Sequence, residues 1–171
     1  MDDSKSVVVP FRQERVKSHQ PNKIKDAKVL SMVEEIEDIE EVWSQFKDFQ
    51  HVFLATMEGD QPRVRPVTLI NFDEKFWVTT GMWSEKVKQI QKNPKVEFSF
   101  VFKKGNRDCC IRVNGLAKII KDKQVKTKLA RHCDFFSKHW ESVEDPDYTL
   151  LEIFPSEATY VTPDKTTRVK L

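Results

Sequence analysis

The spacing of apolar residues changes several times along the chain, and each change marks an element. Between residues 26 and 49, Ile36, Ile39, Val42, Trp43, Phe46 and Phe49 recur at three- and four-residue steps. This is one face of an amphipathic helix. The other face carries Glu34, Glu35, Glu37, Asp38, Glu40 and Glu41, a pattern that reads as a solvated face near a helix start. The period then falls to two. Residues 51–57 and 63–72 predict strands, separated by the turn cluster Glu58-Gly59-Asp60-Gln61-Pro62. Asp73-Glu74-Lys75 turns the chain into a third strand at 76–80.

A short helix follows over 84–92. Ser84 is its cap, Val87 and Ile90 face inward, and Asn93-Pro94 stops it, because a residue before proline leaves the helical region. Val96, Phe98, Phe100 and Phe102 share one face of the clearest strand. A long strand over 109–121 has Gly115 at its middle, where a glycine often marks a bulge or sharp bend. Val125, Leu129, Cys133, Phe136 and Trp140 predict a second long helix over 122–140, capped by Asp122. Residues 148–154 form a strand broken by Pro155, with 158–161 as a candidate continuation, and the polar last ten residues are expected to fray. Consecutive strands joined by short turns favour an antiparallel sheet, and six of them with a mid-strand glycine suggest a closed or partly split barrel.

Composition narrows the choice of partners. The chain has 171 residues and a net charge of +2, which leaves no strong nucleic-acid footprint. Twelve Phe and four Trp supply bulk for a core. Cys109, Cys110 and Cys133 are odd in number and two are adjacent; this is not a secreted disulfide framework, and a reduced cytoplasmic setting is expected. No apolar run approaches a membrane span and no secretory signal is apparent. Residues 1–25 are polar and basic, without a sustained period, and read as an arm that is flexible or packs on a partner subunit. Residues 26–171 are expected to form the folded domain.

The candidate chemistry lies where strand, turn and helix meet. Arg65-Pro66-Val67, Thr79-Thr80 and Ser84-Glu85-Lys86 bring cations, hydroxyls and helix-start amides into one stretch of chain. Such a set suits a bound phosphate. Taken singly, Arg65 and Lys86 read as ordinary surface charges and Thr79 and Thr80 as plain strand formers; taken together they read as a site. Trp83 reads first as a turn residue and second as a lid. Cys109 and Cys110 point to opposite faces of a strand. The histidines have no Cys or carboxylate at ligand spacing, so no metal site is expected. No acid, base or nucleophile stands out.

Ala55-Thr56, the turn from Gly59 to Pro62, Arg65-Pro66-Val67, Thr80, Ser84-Glu85-Lys86 and Asn93-Pro94 occur in this order. Together they resemble the pyridoxamine 5'-phosphate oxidase-like, FMN-binding split-barrel proteins, and most of all the small general-stress-protein branch. The resemblance covers about residues 37–161. It implies a mostly β fold with flanking helices, a six-stranded antiparallel split β-barrel of Greek-key type, and a homodimer with FMN at the subunit interface. It further implies that Arg65 contacts the flavin or its phosphate and that Pro66 and Val67 run beside the ring edge. Thr79 and Thr80 would line the ribityl-phosphate path, and Ser84 and Lys86 would hold the phosphate. Cys110 falls near a position that touches the flavin from the second subunit.

The departures are Glu85, where the oxidases carry a second cation, and the lack of their C-terminal substrate segment after Tyr160. Pyridoxamine phosphate oxidase activity is therefore not expected. The expected function is that of an FMN-binding oxidoreductase with an unnamed small-molecule substrate. The alternative is a non-catalytic protein binding flavin, haem or a deazaflavin, or a sensor.

Overall fold

The computed structural model describes residues 23–171. Most of the arm expected over 1–25 lies outside the described residues. The first helix, α1, spans Lys23–Ser44, so it begins before the expected boundary. Seven antiparallel strands follow: β1 (Phe49–Glu58), β2 (Gln61–Phe72), β3 (Lys75–Gly81), β4 (Lys95–Lys104), β5 (Arg107–Ile120), β6 (Tyr148–Val161) and β7 (Thr166–Lys170). Helix α2 (Glu85–Lys92) joins β3 to β4, and α3 (Lys123–His132) follows β5.

The strand order is β3-β2-β1-β4-β5-β6-β7, and β3 also pairs with β6. Six strands therefore close on themselves and β7 is appended to β6. The seam between β2 and β3 is short. Pairing runs only from Ile70↔Trp77 to Phe72↔Lys75. Beyond it, β2 stays on β1 while β3 follows β6 from Phe76↔Ile153 to Gly81↔Tyr148. The ring is split between residues 65–68 and 78–81.

Two cores flank the wall of the ring. Inside it, Leu54, Phe76, Phe98, Ile111 and Leu151 are fully buried. Val42 and Phe46 close one end, with Trp43 stacked on Phe76 at 5.1 Å. Outside it, Trp77, Tyr148 and Leu150 pack against Leu129, Cys133, Phe136 and Trp140. Ion pairs tie α1 down, Glu41 to Lys104 and Asp38 to Lys165, while Tyr160 donates from its hydroxyl to Glu41 at 3.2 Å.

Several boundaries differ from the sequence expectation, and in each case burial explains the difference. The helix expected to reach Phe49 stops at Ser44, with tight bonds from the amides of Gln45 and Phe46 to Val42 and Trp43. Phe46 still enters the core from the turn, and Phe49 stacks on His132 from a strand. The helix expected over 122–140 stops at His132; Cys133 is extended and only a 3-10 turn at Phe136–Lys138 follows. Cys133, Phe136 and Trp140 are buried as expected, but from irregular backbone that apolar spacing does not tell from a helix. The last ten residues include β7, whose Val169 is buried in the main core. Pro155 does not break β6. It lies opposite Gly115, where the register shifts between Asn114 and Gly115, and a bulge tolerates a proline.

Gly115 is required by space. A Cβ added there would lie 2.2 Å from the backbone carbonyl oxygen of Phe154. Backbone in a paired strand does not move aside cheaply, so Gly115→Ala is expected to destabilise the fold by about 1–3 kcal/mol. Thermal unfolding should shift downward by roughly 2–10 °C for a chain of this size. An unchanged midpoint would show that the bulge yields.

Candidate functional site

Where β2 and β3 part, two strand edges face one another without a partner between them. A cleft of about 500 Å³ occupies the gap, lined by Pro66, Val67 and Thr68 on one side and Thr79, Thr80 and Gly81 on the other. Lys86 supplies the lining with a cation, and Phe135, His139 and Trp140 supply it with rings. Strand edges carry unpaired amide and carbonyl groups, so a flat ligand with a polar rim finds main-chain partners here. The volume lies within the usual range of small-molecule sites.

The cation comes from α2. Ser84 begins the helix in an extended conformation, and its hydroxyl makes no capping bond to the helix amides. Instead Ser84 Oγ accepts from Lys86 Nζ at 2.6 Å, and Thr80 Oγ1 accepts from the same ammonium at 2.7 Å. Arg65, on β2, lies near enough for its charge to act on Lys86. Its Nη1 donates to Thr56 Oγ1 and, at 3.4 Å, to the carbonyl of Leu54; its Nη2 donates to Gln89 Oε1 at 2.8 Å. Thr56 closes the triangle by donating to Gln89 Oε1 at 2.6 Å.

Neither cation has a carboxylate partner among the described residues. Burial holds the Lys86 ammonium below its ordinary pKa, and the nearby Arg65 charge adds to the effect. Burial, and then Arg63, lowers that of Arg65. Two partly desolvated positive charges side by side destabilise each other. An anion placed between them would relieve both costs.

The sequence-predicted residues divide accordingly. Pro66, Val67, Thr79, Thr80 and Lys86 line one cleft, and Ser84 touches Lys86 from behind. Arg65 points into the barrel end, with its guanidinium held by Thr56 and Gln89. Cys110 is not in this cleft. It lies on β5 beside Val101 and Val161, and burial pushes its thiol pKa up. Glu85 makes no contact with Lys86 or Arg65; it is exposed and pairs with Lys88 at 2.7 Å. Trp83 is 79% exposed.

Sequence reasoning gave Thr56 no role beyond the family motif, and missed Gln89 and the aromatic residues of the cleft. Gln89 is buried between Val87 and Ile90, and a polar residue on an inward helix face was the available signal. Phe135, His139 and Trp140 were hidden by the expectation of continuous helix. A larger cleft of about 750 Å³ lies at the β2–β3 turn, lined by Asp48, Asp73 and Glu74 with Trp43, Asn71, Phe72 and His132. It contains no cationic side chain and so offers nothing to a phosphate.

The family model for pyridoxamine 5'-phosphate oxidase matches residues 39–162. Among solved structures, a NimC/NimA family protein from Clostridium acetobutylicum is 30% identical, with 70% of this chain and 84% of that one covered and a TM-score of 0.60. General stress protein 26 from Bacillus anthracis str. Sterne is 26% identical over 77% of this chain and 97% of that one, with a TM-score of 0.62. A pyridoxamine 5'-phosphate oxidase-related, FMN-binding protein from Nostoc punctiforme PCC 73102 is 19% identical over 69% and 78%, with a TM-score of 0.56, and shares the fold. No curated protein matches the chain. The match across most of the described residues, on a split ring with its cleft at the split, shows that this chain belongs to the pyridoxamine 5'-phosphate oxidase family.

Proposed function

We propose that the protein is an FMN-binding flavoprotein that acts as an oxidoreductase in homodimeric form. The observation that carries this reading is Lys86, a cation without a counter-charge in a cleft lined by two free strand edges, with the equally uncompensated Arg65 near it. The donor set fits a phosphate monoester: Lys86, Thr80 and Ser84 would hold the phosphate, with Arg65 adding charge behind them. Pro66, Val67 and Thr79 would border the ribityl chain and ring rim. Phe135 and Trp140 offer apolar faces to a flat ring. Bound FMN would supply the electron transfer, and the chain's residues bind it, orient it and keep water from it. No side chain is assigned as acid, base or nucleophile.

The second subunit would cover the outer face of β1, β2 and β4. Phe53, Val64 and Val101 are 57%, 64% and 68% exposed there, on strands that are adjacent in the sheet. Large apolar side chains grouped in this way mark an interaction surface. Cys110 lies beside Val101, so the partner would bring its own Cys110 toward the flavin as a neutral thiol. Residues 26–171 would act as one flavin-binding domain. Among the described residues no helix is long and apolar enough to cross a membrane, and three free cysteines suit a reduced, cytoplasmic setting.

The reading is tested by the absorption spectrum of the purified protein before and after addition of FMN. A flavin spectrum that bleaches on addition of NADH is expected. Flavin bound without bleaching would favour the carrier or sensor reading, and a haem spectrum or no flavin uptake would overturn this one. Lys86→Ala should weaken FMN by about 1.5–3 kcal/mol, roughly ten- to a hundredfold, the range for hydrogen bonds to a charged group. Riboflavin, which has no phosphate, should bind both proteins alike. In sedimentation the protein should run at about twice its 20.1 kDa chain mass, and Phe53→Asp should shift it to the monomer. A monomeric parent protein would remove the dimer from the proposal.

A further inference from the structure

Every acceptor offered to the two site cations is uncharged. Arg65 donates to a carbonyl, a hydroxyl and an amide oxygen, and Lys86 to two hydroxyls. Two residues along the same strand, Arg63 is treated differently: its Nη2 lies 2.6 Å from the Glu58 carboxylate. Glu85, the acidic residue next to Lys86 in sequence, is turned outward to Lys88. The centre of the arrangement is Gln89, which is 6% exposed. Its Oε1 accepts from Arg65 at 2.8 Å and from Thr56 at 2.6 Å. A glutamate of the same shape would make the stronger, charge-assisted bond to a guanidinium. It would also cancel the charge that an incoming anion needs.

We propose that Gln89 is the specificity-determining residue of the anion site. It is a positioning residue: its neutral amide fixes the Arg65 guanidinium without discharging it. Arg65 and Lys86 together then present an uncompensated double positive charge, which selects ligands ending in a phosphate over their dephosphorylated forms. The inference rests on the reading of this cleft as a phosphate site. It adds that selectivity is set by a buried amide that lines no part of the cleft.

The test is Gln89→Glu, measured at pH 8, where a carboxyl beside Arg65 is ionised. The substitution keeps both hydrogen bonds, so the unfolding temperature should stay within a few degrees of the parent protein or rise. FMN affinity should fall by roughly tenfold or more, with riboflavin affinity unchanged. The dependence of FMN binding on salt should become shallower, since the site carries less charge. Inorganic phosphate should compete with FMN on the parent protein and lose that ability on the variant. Gln89→Leu removes the amide without adding charge. It should lower the unfolding temperature and reduce FMN affinity less than Gln89→Glu does.

Two results would overturn the proposal while leaving the phosphate site in place. One is FMN binding by Gln89→Glu within threefold of the parent protein. The other is an equal loss of riboflavin, which would mean that the change acts through the fold. A parent protein that binds neither FMN nor phosphate would overturn the phosphate site itself, and this inference with it.

Discussion

The pairing of β3 governs the rest of the molecule. A strand has two edges, and β3 gives one of them to β6 along most of its length while keeping β2 only from Ile70↔Trp77 to Phe72↔Lys75. The right-handed twist of strands makes a small closed ring hard to keep fully paired, and here the pairing is interrupted at this seam. The inner core is sealed because Phe76 and Val78 still point into it. The seam leaves free edges on the outer surface, and the aromatic segment after α3 shares the cleft with them. A fully laddered β2–β3 pair would make a tighter barrel with no cleft in its wall.

Charge is distributed with the same economy. Seven of the described surface lysines are paired with a carboxylate, and two of these, Lys104 and Lys165, hold α1 in place. Such exposed pairs contribute little to stability. The cations at the split are treated in the opposite way: they are partly buried and hydrogen-bonded only to neutral oxygens, and the Arg65 charge acts on Lys86. This arrangement costs stability in the free protein, and a negative group bound there would offset the cost.

The sequence made the order of elements legible because period two and period 3.6 are easily told apart over ten residues. Gly115 marked the bulge, and the run from Ser84 to Pro94 marked α2. The ends of elements were less legible for a physical reason. Apolar spacing records which side chains are buried, and Phe46, Phe49, Cys133 and Trp140 are inward-facing or packed whether or not their backbone is helical. Strand β7 was missed because only Val169 faces the core, and a single apolar residue has no period. At the site, the residues contiguous in sequence were found and those that arrive through space were not. Gln89 comes from the inward face of α2, and His139 from beyond α3.

The placement of the three thiols bears on what the protein can survive. Cys109 is sealed in the main core and Cys133 in the outer one, where burial pushes its pKa up to about 11. Burial raises that of Cys110 as well. Peroxide attacks thiolates, and each of these positions disfavours the thiolate form or screens the sulfur from solvent. Keeping every cysteine sulfur enclosed or held toward the thiol form makes this fold durable toward oxidants, which a redox cofactor at the split would generate in the presence of oxygen.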